Sequence, residues 1–294
     1  MPGCLFLRGW MPILLSWMLF PMMSCNRVFY YPDRKDRGSP AEHSLAFEEV
    51  FFKTEGDQML HGWFLPAASG KPTRGTVLHL HGNAANITGH YEFARWLPAE
   101  GYNVLVFDYR GYGRSEGHVT RDGTIQDAMA ALDYLRERGD LDSDRILVWG
   151  QSIGGAISVV LTAERRNQIR GLAVEAGFSC YRGIVRHHAL HHPLLLVLAW
   201  WFPFLIDQEW CPIDYVDQVS PVPVFFIHGT TDRVVPCRMS QAMHDRAKPP
   251  KELWLIEGMD HYEVWQAQPE VAKRRLLEFF ERTLEGPTGK APAG

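Results

Sequence analysis

The chain has 294 residues, 46% of them hydrophobic, with 30 basic and 34 acidic side chains and a net charge of −4 when its 13 histidines are neutral. That balance allows one large buried core and excludes the basic field that nucleic-acid binding needs. No long like-charge run and no repeat of solenoid length points to a charged tail or a repeat array.

At the N-terminus, Arg8 precedes an apolar stretch from Trp10 to Met23 that ends in Ser24-Cys25. One cation followed by roughly 14 mostly apolar residues has signal-peptide proportions and falls short of the ~20 that a spanning helix needs. Residues 1–24 are therefore expected to be a signal peptide or membrane anchor. Ser24-Cys25 is similar to a bacterial lipobox, which would make Cys25 the lipidated residue of a membrane-associated lipoprotein. Met22 and Met23 depart from that pattern, so a single uncleaved N-terminal anchor and a soluble chain stay as alternatives. Residues 25–43, polar and breaker-rich from Asp33 to Pro40, read as a linker.

Beyond the linker, Ala46–Phe52 and Met59–Leu65 flank a Gly56-Asp57 turn and predict an antiparallel hairpin. From residue 75, short apolar runs alternate with helical stretches. Strands are expected at Thr76–Leu80, Asn103–Phe107, Arg145–Trp149, Gly171–Glu175, Val222–Ile227 and Glu252–Ile256. Helices are expected near 88–99, 123–138, 152–165, 237–247 and 266–284. Continuous apolar strands joined by helical crossovers mean a mostly parallel sheet covered on both faces, an α/β fold over residues 44–285. Residues 286–294 read as a flexible tail.

One stretch, about 178–218, breaks this rhythm. It carries the apolar run Leu194–Ile206, too short to span a bilayer. A helix packed on the sheet and a short cap over a site, with Trp200, Trp201, Phe202 and Trp210 lining an acyl pocket or meeting a membrane, both fit it. Cys180 and Cys211 flank the stretch and could close it by a disulfide; three buried thiols, with Cys237, is the other reading. His187, His188, His191 and His192 form i, i+4 pairs, but no carboxylate or cysteine pattern accompanies them, so no metal is expected.

The chemistry concentrates elsewhere. G-x-S-x-G occurs twice, around Ser115 and around Ser152. A nucleophile elbow needs the serine to leave a strand and enter a helix at once, with small neighbours. Ser152 meets that demand between Ile146–Trp149 and Gly154-Gly155-Ala156, whereas Ser115 sits in a loop. A serine hydroxyl needs a base oriented by a carboxylate. Asp232 follows the strand ending at Ile227, and His261 follows the one ending at Ile256. Glu175, at another strand end, is the competing acid, and Asp260 is too close in sequence to His261 to orient it. The oxyanion hole then requires the N–H of Ile153, after the nucleophile, and one from the loop after Leu80. Asn83 is the choice for that second donor, with Ala84 as the alternative.

Taken together, His81-Gly82-Asn83-Ala84, Phe107–Ser115, Gly150–Gly155 and His228–Asp232 resemble the membrane-associated α/β-hydrolase domain-containing serine hydrolases, a group with bacterial lipoprotein hydrolases and eukaryotic protein depalmitoylases. The resemblance covers residues from about 45 to about 282 and implies an α/β-hydrolase fold, the Ser152–Asp232–His261 triad and hydrolysis of an ester or thioester, without naming a substrate. The stretch 183–210 is unusually apolar and aromatic for that group. The expectation is a cofactor-free serine hydrolase acting through an acyl-enzyme on a small-molecule or acyl substrate, with membrane contact through its N-terminus and no nucleic-acid partner. A serine peptidase or amidase on the same triad, and a non-catalytic binding protein on the same scaffold, are the rivals.

Overall fold

The computed structural model describes residues 29–70, 72–191 and 208–286. The expected signal segment 1–24, Cys25, the apolar run 194–206 with its tryptophans, and the tail from 287 lie outside the described residues.

The strands are β1 (Glu48–Lys53), β2 (Met59–Leu65), β3 (Gly75–Leu80), β4 (Tyr102–Phe107), β5 (Ile146–Gln151), β6 (Gly171–Glu175), β7 (Val224–Gly229) and β8 (Lys251–Ile256). They form one sheet in the order β1-β2-β4-β3-β5-β6-β7-β8. β1 and β2 make the expected hairpin, Glu48 opposite Phe64, and β2 runs antiparallel to β4. Every later pairing is parallel. A parallel pair cannot be closed by a tight turn, so each needs a crossover. The crossovers carry α1 (Ile87–Ala94), α2 (Arg121–Glu137), α3 (Ile153–Glu164), α4 (Tyr181–His191) with α5 (Pro212–Tyr215), and α6 (Arg238–Arg246), while α7 (Val264–Ala267) and α8 (Pro269–Glu285) follow the last strand.

Strand alternation splits the core between the two faces. Leu78, Leu105, Phe107, Val148 and Phe226 pack with α2 and α3 on one side. Val77, Val104, Val106, Leu147, Trp149 and Phe225 pack with α1 and α8 on the other. Burial of a side chain such as Phe226 contributes about 1.5–3 kcal/mol, which explains why the fully buried strands β3 to β7 are mostly apolar. β1, at the edge, alternates instead.

Two expected helices are interrupted, both for a covalent reason. The stretch 88–99 ends its α-helix at Ala94 and resumes as a 3-10 turn, Leu97–Glu100, with Pro98 in its first turn. The C-terminal stretch breaks at Gln268, because Pro269 has no N–H to continue α7 and starts α8 instead. The linker reading of 25–43 also needs correction within the described part. Phe29 and Tyr30 are buried, and Pro40–His43 is a 3-10 turn whose Pro40 is buried too. Two apolar rings find a pocket there, and Asn86 donates to the carbonyls of Asp33 and Lys35. This segment is docked, not free.

The strand order makes β3 the point where successive connections turn to opposite sides. The loops after β3 and β5 therefore emerge side by side at the carboxyl ends, with Leu80 beside Gly150. Crevices at such a switch point are where open α/β sheets bind ligands.

Candidate active site

Ser152 leaves β5 and caps α3 with φ 52° and ψ −113°. A non-glycine residue in that region carries about 1–3 kcal/mol of strain. The surroundings over-determine it: Ser152 N–H donates to Glu175 O at 2.8 Å and Ser152 O accepts from Ala156 N–H at 3.1 Å. The flanking glycines are steric necessities. A Cβ on Gly150 would lie 2.3 Å from Gly154 O, and one on Gly154 would lie 2.1 Å from Leu80 O. The other matching serine, Ser115, is a structural tie. It is buried, donates to Asp108 O at 2.6 Å and accepts from His61 N–H at 2.9 Å.

Asp232 sits just past β7 with its carboxylate out of solvent. Oδ1 accepts the N–H groups of Val234 and Val235, both at 2.8 Å. Oδ2 accepts from His261 Nδ1 at 2.7 Å and faces His228 Nε2 at 3.1 Å. Burial works to raise this carboxyl, but His228, His261 and the backbone donors outweigh it and hold it well below the usual carboxylate range. His228 is itself fixed, accepting from Ser240 Oγ at 2.7 Å while Nε2 donates to Val235 O at 2.7 Å. With Nδ1–H given to Asp232, the neutral His261 ring carries its lone pair on Nε2, the form a general base requires. His261 is hydrogen-bonded to Asp232 and not to Ser152. Such contacts often tighten only in the complex with substrate.

Asp260 does not orient His261. It accepts from Arg233 N–H at 3.0 Å, from Arg233 Nε at 2.6 Å and from His261 N–H at 2.8 Å. Arg233 follows the acid and Asp260 precedes the base, so this pair staples the two loops together. Glu175 is committed too, accepting from Gln151 Nε2 at 2.9 Å and Trp265 Nε1 at 2.6 Å. Of the two acids weighed from sequence, Asp232 is the one that meets His261.

The N–H groups of Asn83 and Ile153 have no protein acceptor among the described residues. The loop carrying Asn83 is strained, with Ala84 at φ 60° and Ala85 at φ 58°. Two devices, neither legible in the motif, hold it. Asp108 Oδ1 accepts from Ile87 N–H at 2.8 Å where the loop enters α1. The Asn83 side chain donates to Phe29 O at 2.6 Å and accepts from Tyr31 N–H at 2.8 Å and Tyr112 OH at 2.9 Å. The docked segment at 29–31 thus holds the Asn83 side chain and with it the loop after β3. The linker reading passed over the aromatic residues Phe29, Tyr30 and Tyr31, the one local signal that this segment is docked.

Behind the elbow, His79 Nε2 donates to Gln151 Oε1 at 3.0 Å, and Gln151 passes the chain on to Glu175. Burial pushes His79 down to about 3 and lowers His81 and His90 as well. An unfolded histidine protonates near 6.5, so the unfolded chain binds more protons below that pH. Stability is complete above about 6.5 and is lost as pH falls from there toward 3, by roughly 1 kcal/mol per pH unit for His79 alone. Urea unfolding at pH 7, 6 and 5 should show this slope, and His79→Gln should flatten it. An equal slope in the variant would refute the assignment.

Among the described residues no group of three or more His, Cys, Asp or Glu side chains is arranged to hold a metal; His192 and the His191 side chain lie outside them. Cys180, Cys211 and Cys237 are free thiols, so the bridge weighed from the sequence is not formed.

The chain is 33% identical to the uncharacterized protein YfhR of Salmonella typhi, over 92% of this chain and 93% of that one. It is 30% identical to the alpha/beta hydrolase domain-containing protein WAV2 of Arabidopsis thaliana, over 83% of this chain and 82% of that one. The chain belongs to the α/β-hydrolase family. Residues 71–211 of this α/β-hydrolase match the family described as serine aminopeptidase, S33. Among solved structures, the Pyrococcus furiosus esterase Pf2001 is similar with a TM-score of 0.71 and 27% identity, covering 87% of this chain and 98% of that one. The α/β-hydrolase is, at this level, a serine hydrolase.

Proposed function

We propose that this serine hydrolase cleaves carboxylic esters or thioesters, with acyl or lipid groups as the substrate class, through an acyl-enzyme on Ser152. The observation that supports it most is the 2.7 Å bond between His261 Nδ1 and Asp232, beside a strained serine elbow. In this reading Ser152 Oγ attacks the acyl carbon while its proton passes to His261 Nε2. The N–H groups of Asn83 and Ile153 hold the oxyanion, and His261 then protonates the departing alcohol or thiol. Water, deprotonated by His261, attacks the acyl-enzyme and Ser152 leaves with the proton.

A peptidase or amidase reading uses the same residues and is favoured by the description of the matching family. A chain-length series of p-nitrophenyl esters, beside an acyl thioester and aminoacyl p-nitroanilides, separates the two. Esters and thioesters should exceed the anilides in kcat/KM by a hundredfold or more; faster anilide cleavage would sink the ester reading.

The proposed address is a membrane surface, reached through lipidated Cys25 or, as the alternative, a single N-terminal anchor. No helix among the described residues is long and apolar enough to cross a membrane, so the attachment rests on the N-terminal sequence. Palmitate incorporation should disappear in Cys25→Ala, and its persistence would overturn the lipoprotein reading.

A further inference from the structure

Tyr262, the residue after the base, is built in an unfavourable way twice over. Its φ is 59°, a region that bulky side chains avoid. Its hydroxyl is buried and has no hydrogen-bond partner among the described residues. A buried O–H without an acceptor costs free energy that a phenylalanine ring would not. Packing alone therefore accounts for the ring and leaves the oxygen unexplained. The ring lies 4.0 Å from the His261 ring and 5.4 Å from that of Phe93, centroid to centroid.

The location of the oxygen supplies the explanation. A Cβ on Gly82, at the start of the oxyanion loop, would stand 2.8 Å from the Tyr262 hydroxyl, so only glycine leaves it room. The same Cβ position lies 3.7 Å from the carbonyl oxygen of Gln151, the residue before the nucleophile, and the Ser152 side chain is the polar neighbour that lowers the phenol's proton affinity. Burial and the carboxylates of Glu175 and Asp232 push the other way and prevail, keeping the phenol protonated. Tyr262 is thus a constant donor, buried beside the nucleophile and lacking an acceptor.

We propose that the Tyr262 hydroxyl is a catalytic hydrogen-bond donor to Ser152 Oγ. It aligns as negative charge gathers on that oxygen, first when the proton passes to His261 and again when Oγ leaves the acyl carbon in deacylation. The orphaned state is then a donor set in place ahead of the charge it serves. This inference rests on the serine-hydrolase reading above and adds a group to it.

The test is Tyr262→Phe in the full chain, with p-nitrophenyl butyrate turnover, the rate of fluorophosphonate inactivation and thermal unfolding measured together. The expected result is a fall in kcat of about 10- to 100-fold, an inactivation rate that falls in parallel, KM within about twofold of wild type and a Tm that is unchanged or higher. A purely structural tyrosine would behave differently, and a variant whose Tm and kcat fall together would overturn the proposal. So would wild-type kcat at unchanged Tm. If the wild type neither turns over ester nor takes the probe, the underlying hydrolase reading fails; if it does both and Tyr262→Phe matches it, only the role of Tyr262 fails.

Discussion

Ser152→Ala is expected to lower ester kcat/KM by about 10⁴- to 10⁶-fold, leaving what the oxyanion donors and substrate binding supply by themselves. The reason is that the described structure offers no substitute at the site. Ser115 is held by Asp108 O and the His61 N–H, away from solvent, and Cys180, Cys211 and Cys237 sit just before α4, α5 and α6 rather than at the elbow. The backbone at 152 should survive the change, since its bonds to Glu175 O and Ala156 N–H are main-chain bonds. Thermal unfolding should shift little while covalent labelling by a fluorophosphonate vanishes. Labelling that persists in the variant would remove Ser152 as the nucleophile.

Asp232→Asn should be nearly as damaging, by about 10⁴-fold in kcat, and the geometry says why. The Val234 and Val235 N–H groups both point at Oδ1, so an asparagine must place its carbonyl oxygen there. Its NH2 group is then forced into the Oδ2 position, facing His261 Nδ1 and His228 Nε2. Facing a donor, His261 turns to the tautomer with Nδ1 unprotonated and Nε2–H, which cannot accept the serine proton. His228 Nε2, already donating to Val235 O, has no such freedom, and an unmatched donor pair in a buried site costs about 1–3 kcal/mol. Activity and stability should therefore both fall, unlike in Ser152→Ala. Glu175→Gln is the control for the competing acid. It keeps an acceptor for Trp265 or Gln151 and should leave kcat within about tenfold of wild type, as expected for a group outside the proton-transfer path. A loss larger than that of Asp232→Asn would hand the role to Glu175.

Much of the fold could be read from residue patterns because the sheet is buried on both faces. Strands such as Val77–Leu80 and Ile146–Trp149 had to be mostly apolar, and the crossovers between them had to be helical. The elbow was equally legible, since Gly150 and Gly154 are imposed by contacts between strand, helix and β3 that recur wherever such a turn is made. The positions of Asp232 and His261 followed from strand ends in the right order. Less legible were the helix breaks at Pro98 and Pro269, where a single missing N–H overrode an apolar period.

What lies beyond the sequence shares one property: it depends on which side chains meet across long chain separations. Sequence alone marked Ser152, Asp232 and His261 as candidates and could only rank Asp232 above Glu175. The fold decided between those acids by bringing one to His261 Nδ1 and giving the other to Gln151 and Trp265. It also turned a supposed linker at Phe29–Tyr31 into the clamp on Asn83 and set the hydroxyl of Tyr262 against Gly82. Periodicity reports which face of an element is buried. Partnership among buried polar groups is set by tertiary distance and donor geometry, and for those no local pattern exists.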